Sequence, residues 1–213
     1  MLICAATNNA GKLKELRRIL EKQGHTVKSQ KELNIAIEPE ETGTTFEENA
    51  KIKAQAICAV SGIATVADDS GLAVDGLDGA PGVYSARYCG VHGDDEANND
   101  KLIADLEQVE ESKRTAKFVS AVCFMLPNGK SITVLGECPG KVIRQRKGTN
   151  GFGYDPLFVP DFVGCEDGSI KANTQQLTYA QLEDWQKDAI SHRGRAMEKL
   201  DRALSDFLQT AEK

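Results

Sequence analysis

Two carboxylates stand side by side in Thr65-Val66-Ala67-Asp68-Asp69-Ser70-Gly71-Leu72, between apolar runs that read as strand. Burying either charge without a partner costs several kcal/mol, so the pair must cap a turn or hold a cation. A hard divalent ion such as magnesium takes oxygen ligands from one or two carboxylates and fills the rest of its shell with water and phosphate. A second acidic pair, Glu40 and Glu41 in "PEETG", lies upstream. Carboxylates in such a loop are ordinarily solvated, and it is the aspartate pair that gives them a metal role to weigh.

Groups that suit a phosphate occur in three other places. In "ATNNAGKLKEL" polar backbone follows a strand and Lys12 falls in the first turn of a helix. Exposed N–H groups, the helix dipole and a lysine together favour an anion; the bland alternative is a capped helix with a solvated lysine. This is not a Walker A loop, which would need Gly at Ala6 and Ser or Thr at Leu13. Lys53 follows Asn49 by one helical turn, so the two share a face, while Ala50, Ala54, Ile57 and Cys58 line the apolar side; on this pattern alone a solvated surface lysine is the favoured reading. The cluster Lys187, Ser191, His192, Arg193 and Arg195 in "KDAISHRGRA" reads as an anion site at a helix junction.

"KGTNGFGYDPLF" is spaced G-x-x-G-x-G and matches no dinucleotide fingerprint. Its Phe152 and Tyr154 can stack on a base and its Asp155 can accept N–H bonds from a base edge, or the rings can simply pack beneath the loop. No Gly-x-Ser-x-Gly elbow occurs, since "ADDSGL" lacks the first glycine.

These residues need a frame. "LICAA" is a strand, and Leu13, Leu16, Ile19 and Leu20 recur at helical spacing until Gly24. "HTVKSQ" returns as a strand, and Thr45-x-x-Glu48 is a capping box that opens a second helix ending at Gly62. "IATVA" (63–67) is a third strand, which makes Asp68 and Asp69 strand-end residues. Leu102, Ile103, Leu106 and Val109 share a helical face, "RTAKFVSAVCFML" is a central strand apolar on both faces, and "PNG" turns it into "SITVLGE". "QLEDWQKDAI" and "GRAMEKLDRALSDFLQ" are helical, with Leu200, Leu204 and Phe207 or Leu208 on the buried stripe. The alternation predicts a mixed α/β sheet with flanking helices, in one domain over 1–213 made of two lobes around a cleft.

The bulk figures agree with a soluble globular chain: 213 residues, 40% hydrophobic and 27% charged. A net charge of -6 argues against a protein that coats nucleic acid, whose footprint is basic. The six cysteines form no C-x-x-C pair, which favours a reducing cytoplasm over a disulfide or zinc framework. The start "MLICAATNN" lacks the pattern of a targeting segment, and no stretch is long enough to span a membrane.

Taken in order, "ATNNAGKLKEL", "EETGTTFEENAKIKA", "ADDSGLAVDGLDGAPGVYSARY", "GTNGFGYDPLF" and "AISHRGRA" resemble the inosine/xanthosine triphosphate pyrophosphatases along nearly the whole chain. The resemblance implies an elongated mixed α/β fold with a central cleft, a homodimer, magnesium, and hydrolysis of ITP, dITP or XTP to the monophosphate and pyrophosphate. It implies a phosphate loop of Thr7, Asn8, Asn9, Ala10, Gly11 and Lys12, a further phosphate lysine at Lys53, and Asp69 as general base. Magnesium would be held by Asp69 and by Glu40, with Glu41 as the alternative. Ser70 would touch substrate, Phe152, Gly153, Tyr154 and Asp155 would read the base, and Lys187, His192 and Arg193 would complete the contacts. Preference for a 6-oxo purine requires donors aimed at that oxygen, which His192 and Arg193, or backbone N–H groups near Tyr154, can supply. The polar stretch 161–177 is longer than the turn that is usual at that point in the family, and reads as a loop. A nucleotide sensor without turnover is the competing reading. It gains little from extra carboxylates unless a metal intervenes.

Overall fold

The computed structural model describes residues 1–211. The chain divides into two compact units, one formed by Met1–Asp69, Ser120–Gly136 and the segment from Arg193, the other by Ser70–Val119 and Glu137–His192. The six-stranded sheet has the order β2-β1-β3-β4-β5-β6.

In the first unit, β1 (Leu2–Ala5) pairs in parallel with β2 (Thr26–Ser29) and with the start of β3 (Thr65–Val74). Helix α1 (Ala10–Lys22) follows β1. Helix α2 (Phe46–Ser61) opens on the expected box: Glu48 N–H donates to Thr45 Oγ1 at 3.2 Å and Thr45 N–H donates to the Glu48 carboxylate at 3.2 Å. It closes on Gly62 at φ 63°, a left-handed cap that glycine adopts without penalty. Strands β4 (Thr115–Met125) and β5 (Ser131–Val142) are joined by the "PNG" turn, where Leu126 N–H donates to Lys130 O at 2.9 Å.

This part of the sheet is buried on both faces, and the side-chain period of two sorts its residues between them. Ile3, Ala5, Val66, Val122 and Phe124 pack with Leu16 and Leu20 of α1 and with Ala196, Met197, Leu200 and Leu204 of α5 (His192–Ala211). Cys4, Ala67, Ala121, Cys123 and Met125 pack instead with Ala50, Ala54, Ile57 and Cys58 of α2. Asp68 is therefore in step with Val66, toward α1 and α5, and Asp69 is in step with Ala67, toward α2.

The second unit packs Leu72, Val74, Phe118, Tyr154, Phe158 and Tyr179 around Leu102 and Leu106, at the end of helix α3 (Asp95–Asp105). Strand β6 (Phe158–Pro160) pairs antiparallel with the end of β5. Gly71 shows why the "DDSGL" glycine is needed. A Cβ there would overlap Gly82 O and Ser85 Oγ, and that serine hydroxyl accepts the Leu72 N–H at 2.9 Å. Because backbone lies on one side, Gly71→Ala is expected to cost about 1–3 kcal/mol, read as a lowered Tm; an unchanged Tm would show that the 82–85 turn yields freely.

Three expectations are corrected. Asp68 and Asp69 do not end a strand, because β3 runs on to Val74; both carboxylates meet cations, so the ladder accommodates them. The 161–177 stretch is no plain loop but contains β7 (Phe162–Gly164) and β8 (Ile170–Ala172), an antiparallel pair. Asn173 ties it down by donating to Pro160 O and Leu177 O at 2.9 and 2.8 Å. Finally, "QLEDWQKDAI" gives only the five-residue α4 (Asp184–Asp188). Among the described residues no helix is long and apolar enough to cross a membrane.

Candidate active site

In the first unit, β3 delivers its two aspartates to different partners. Asp68 is 1% exposed. Its Oδ1 accepts the Ser120 hydroxyl of β4, and its Oδ2 accepts from Arg193 Nη2 at 3.0 Å and meets Lys12 Nζ at 3.1 Å. Arg193 in turn pairs with Glu15 of α1. Burial opposes the charge on Asp68, yet the Arg193 guanidinium and the Lys12 ammonium prevail and hold its carboxyl well below the usual range. Burial likewise pulls Lys12 below an ordinary lysine, with Asp68 opposing.

Asp69 has a different environment. Lys53 of α2 donates to Asp69 Oδ1 and to Glu41 Oε1, each at 2.9 Å. Burial raises the Asp69 carboxyl above the usual value, with Lys53 and Lys12 opposing and Glu41 adding to the rise. Lys53 feels burial first in the contrary sense, but two carboxylates outweigh it and its pKa is raised. One ammonium shared between two carboxylates gains more than either of them does. Adjacent aspartates thus differ in kind: Asp68 is locked as an anion, while Asp69 is tuned toward taking a proton.

The loop that carries Glu41 is fixed to the helix that carries Lys53. Gly43 N–H donates to Asn49 Oδ1 at 2.8 Å, and a Cβ on Gly43 would stand 2.6 Å from Glu48 Cβ. The resemblance implied Glu40 as a magnesium ligand beside Asp69, with Glu41 as the alternative; Glu41 shares Lys53 with Asp69, whereas Glu40 is exposed.

At the start of α1, Asn9 is the N-cap and its Oδ1 accepts the Lys12 N–H at 2.9 Å. Asn8 Nδ2 donates to Glu38 at 2.8 Å, and Asn9 N–H donates to Thr7 Oγ1 at 3.2 Å. Ala10 and Gly11 form the first turn. The loop expected to cradle phosphate is therefore a capped helix start with Lys12 in its first turn, next to a buried carboxylate.

The second unit gathers the aromatic loop. Asp155 Oδ2 accepts the Phe152 N–H at 3.0 Å and the Lys187 ammonium at 2.7 Å. Gly153 N–H donates to Asp95 at 2.7 Å, Gly153 O accepts Asn99 Nδ2 at 2.8 Å, and the Tyr154 hydroxyl donates to Ser85 O at 2.8 Å. Lys187 Nζ lies 5.1 Å from the ring centroids of both Phe152 and Tyr179. His192 stacks on Phe118 with centroids 4.8 Å apart and planes 13° apart, and Phe118 stacks on Tyr179 at 5.5 Å. Phe152 and Gly153 remain partly exposed, as does Ser70, whereas Tyr154 and Asp155 are buried.

Two sequence expectations change here. The basic "KDAISHRGRA" cluster is not an open anion site, since Lys187 is matched to Asp155 and Arg193 to Glu15 and Asp68. Arg193, 1% exposed, has its terminal nitrogens turned to those carboxylates, which makes it an anchor for Asp68 and not the base-edge donor. The Phe152 N–H is likewise engaged, by Asp155 of the same loop, and the Gly153 N–H by Asp95 of α3. Glu15 and Ser120 were missed. Their signals existed: Glu15 is a carboxylate one helical turn after Lys12 on a largely apolar stripe, and Ser120 is a lone hydroxyl in the run "FVSAVCF".

A metal fits the Asp69 side. Asp69 Oδ2 is buried without a hydrogen-bond partner among the described residues, and Lys53 already places a positive charge where the Glu41 and Asp69 oxygens converge. No group of three His, Cys, Asp or Glu side chains forms a metal cluster among the described residues. The donor set suits a hard ion that draws its other ligands from water and phosphate.

Comparison with known proteins agrees in extent as well as kind. A profile of the Ham1 family matches residues 3–203. A "dITP/XTP pyrophosphatase" of Exiguobacterium sibiricum is 47% identical over 208 residues, covering 98% of this chain and 99% of that protein. A Ham1 protein of Coxiella burnetii superposes with a TM-score of 0.80 at 36% identity, over 97% of this chain and 99% of that one. A "Nucleoside-triphosphatase / dITP/XTP pyrophosphatase" of Mycobacterium abscessus does so with a TM-score of 0.71 at 44% identity, over 94% and 98%. Matched over nearly its whole length in sequence and in fold, the chain belongs to the Ham1 family.

Proposed function

We propose that this protein hydrolyses the deaminated purine nucleoside triphosphates ITP, dITP and XTP to the monophosphate and pyrophosphate. The observation that carries the reading is the division of labour on β3: a carboxylate locked as an anion at Asp68 beside one at Asp69 whose pKa is raised and whose second oxygen has no hydrogen-bond partner among the described residues. The dITP/XTP pyrophosphatases among its relatives supply the substrate class.

In the proposed reaction, water attacks the α-phosphorus, Asp69 takes its proton, and the bond to the β-phosphate oxygen breaks to release pyrophosphate. Lys12 and Lys53 neutralise phosphate charge, work that is positioning plus electrostatics. Asp69 and a glutamate of the Glu40–Glu41 pair would hold magnesium, and Glu41, which already shares Lys53 with Asp69, is the one we assign. Magnesium, when bound, supplies Lewis acidity at the phosphates. Phe152, Lys187 and His192 are assigned to the base, with Ser70 beside Asp69 in the chain as a further contact. A homodimer, on the resemblance of the motif set, and a reducing cytoplasm, on the cysteine pattern, complete the reading.

The test is a substrate panel with magnesium, scoring pyrophosphate release. ITP, dITP and XTP are expected to be turned over well ahead of ATP and GTP. Stepwise release of orthophosphate, or equal turnover of ATP, overturns the reading. Within the panel, Glu41→Gln is expected to raise the magnesium concentration needed for half-maximal rate more than Glu40→Gln does; the reverse order moves the metal assignment to Glu40.

A further inference from the structure

We propose that Asp68 is a positioning residue for the triphosphate, fixing the Lys12 ammonium at the first turn of α1 while taking no part in the chemistry. The proposal rests on the phosphate role given above to Lys12.

Geometry excludes a direct role. The side chain of Asp68 has no exposed surface, and both oxygens are engaged, one by Ser120 and the other by Arg193 and Lys12. Neither a phosphate nor an attacking water can reach it. Period two on β3 also turns it away from the face on which Asp69 meets Lys53, so it cannot share a metal with its neighbour.

What it can do follows from its partners. Lys12, Arg193, Asp68 and Glu15 are two cations and two anions, a balanced set in a buried place. Arg193 and Glu15 are almost fully buried, and Lys12 alone reaches outward, its side chain 17% exposed against 0% for Asp68. A lysine ammonium sits on a flexible four-carbon stem. Asp68 removes that freedom: strand, Ser120 and Arg193 fix the carboxylate, and the carboxylate fixes Lys12. An incoming triphosphate then meets a cation already in place.

The test compares Asp68→Asn, Lys12→Met and the double variant. Asparagine keeps the shape, and Arg193 retains Glu15. Two readouts are used: the KM and kcat for ITP, and equilibrium binding of inorganic triphosphate, which needs no turnover. Asp68→Asn is expected to raise KM and the triphosphate Kd about tenfold, with kcat changed less. In the Lys12→Met background it should add under about twofold, since residues acting as one unit are non-additive. If Asp68→Asn does not fold, Ser120→Ala carries the test, with the same effects at about two- to fivefold from the loss of one hydrogen bond.

A fall in kcat with KM and Kd unmoved overturns the proposal, as do full additivity with Lys12→Met or a wild type that binds no inorganic triphosphate. A wild type that binds triphosphate through Lys12 and Asp68 yet releases no pyrophosphate from ITP overturns the reaction and leaves the positioning role standing.

Discussion

Asp69→Asn is expected to leave the fold intact and to lower kcat by about 100- to 10,000-fold, the span a positioned general base contributes. Asparagine preserves the shape and the contact with Lys53, so the loss reports the missing negative charge, as proton acceptor and as magnesium ligand together. The pH profile supplies a second reading. Asp69 serves as a base only when ionised, and burial raises its pKa above the ordinary value of 3.8. Without magnesium the Asp69 carboxyl should therefore titrate above a solvated aspartate, a step that the variant should lack; bound magnesium favours the carboxylate and should move that step down. A variant with undiminished kcat would remove Asp69 from the role of base.

The second large effect concerns stability. Arg193→Leu leaves Glu15 and Asp68 buried without their guanidinium, and stranding buried charge in this way costs about 3–5 kcal/mol. In a chain of this size that corresponds to a fall of about 6–20 °C in Tm. The exposed pair Arg202 and Glu198 is the control, with side chains 75% and 61% exposed; breaking it should cost no more than about 0.5 kcal/mol. The pH dependence has a definite sign. A carboxylate depressed as Asp68 is contributes stability that is present above its unfolded pKa and is lost as pH falls toward the folded value. Wild type should lose that contribution below about pH 4, and Arg193→Leu should lose less of it over the same interval. Equal Tm values for wild type and Arg193→Leu would mean that the buried network contributes nothing.

Local signals carried much of the fold. The box at Thr45 and Glu48, the cap at Gly62, the "PNG" turn and the helical stripe of Leu13, Leu16 and Leu20 each depend on residues a few positions apart, and the structure has them all. Failures came where the cause lay far away in sequence. Whether β3 could continue through two aspartates depended on Lys53, 16 residues earlier, and Arg193, 125 residues later than its partner. Strands β6, β7 and β8 are three residues each, too short to show a period.

The site was legible in residue type more than in arrangement. Lys12, Lys53, Asp68 and Asp69 were singled out by charge in unexpected places, but their pairing was not. Arg193 read as part of an anion site and as a donor to the base, until Glu15, 178 residues away, claimed it. The reaction was suggested by the order of five motifs, a form of information that no single segment holds. Physical reading then supplied what that order lacks, a reason why two identical neighbouring residues differ.

That difference carries a constraint on descent. Because Asp68 and Asp69 are sorted by strand alternation, a one-residue change in the connection Gly62-Ile63-Ala64 that shifted β3 in register would exchange them, handing Lys53 the wrong carboxylate and Arg193 the other. Lineages should therefore conserve the length of this connection even where its residues drift. The turn between β7 and β8, which positions no such pair, is where insertions and deletions should accumulate.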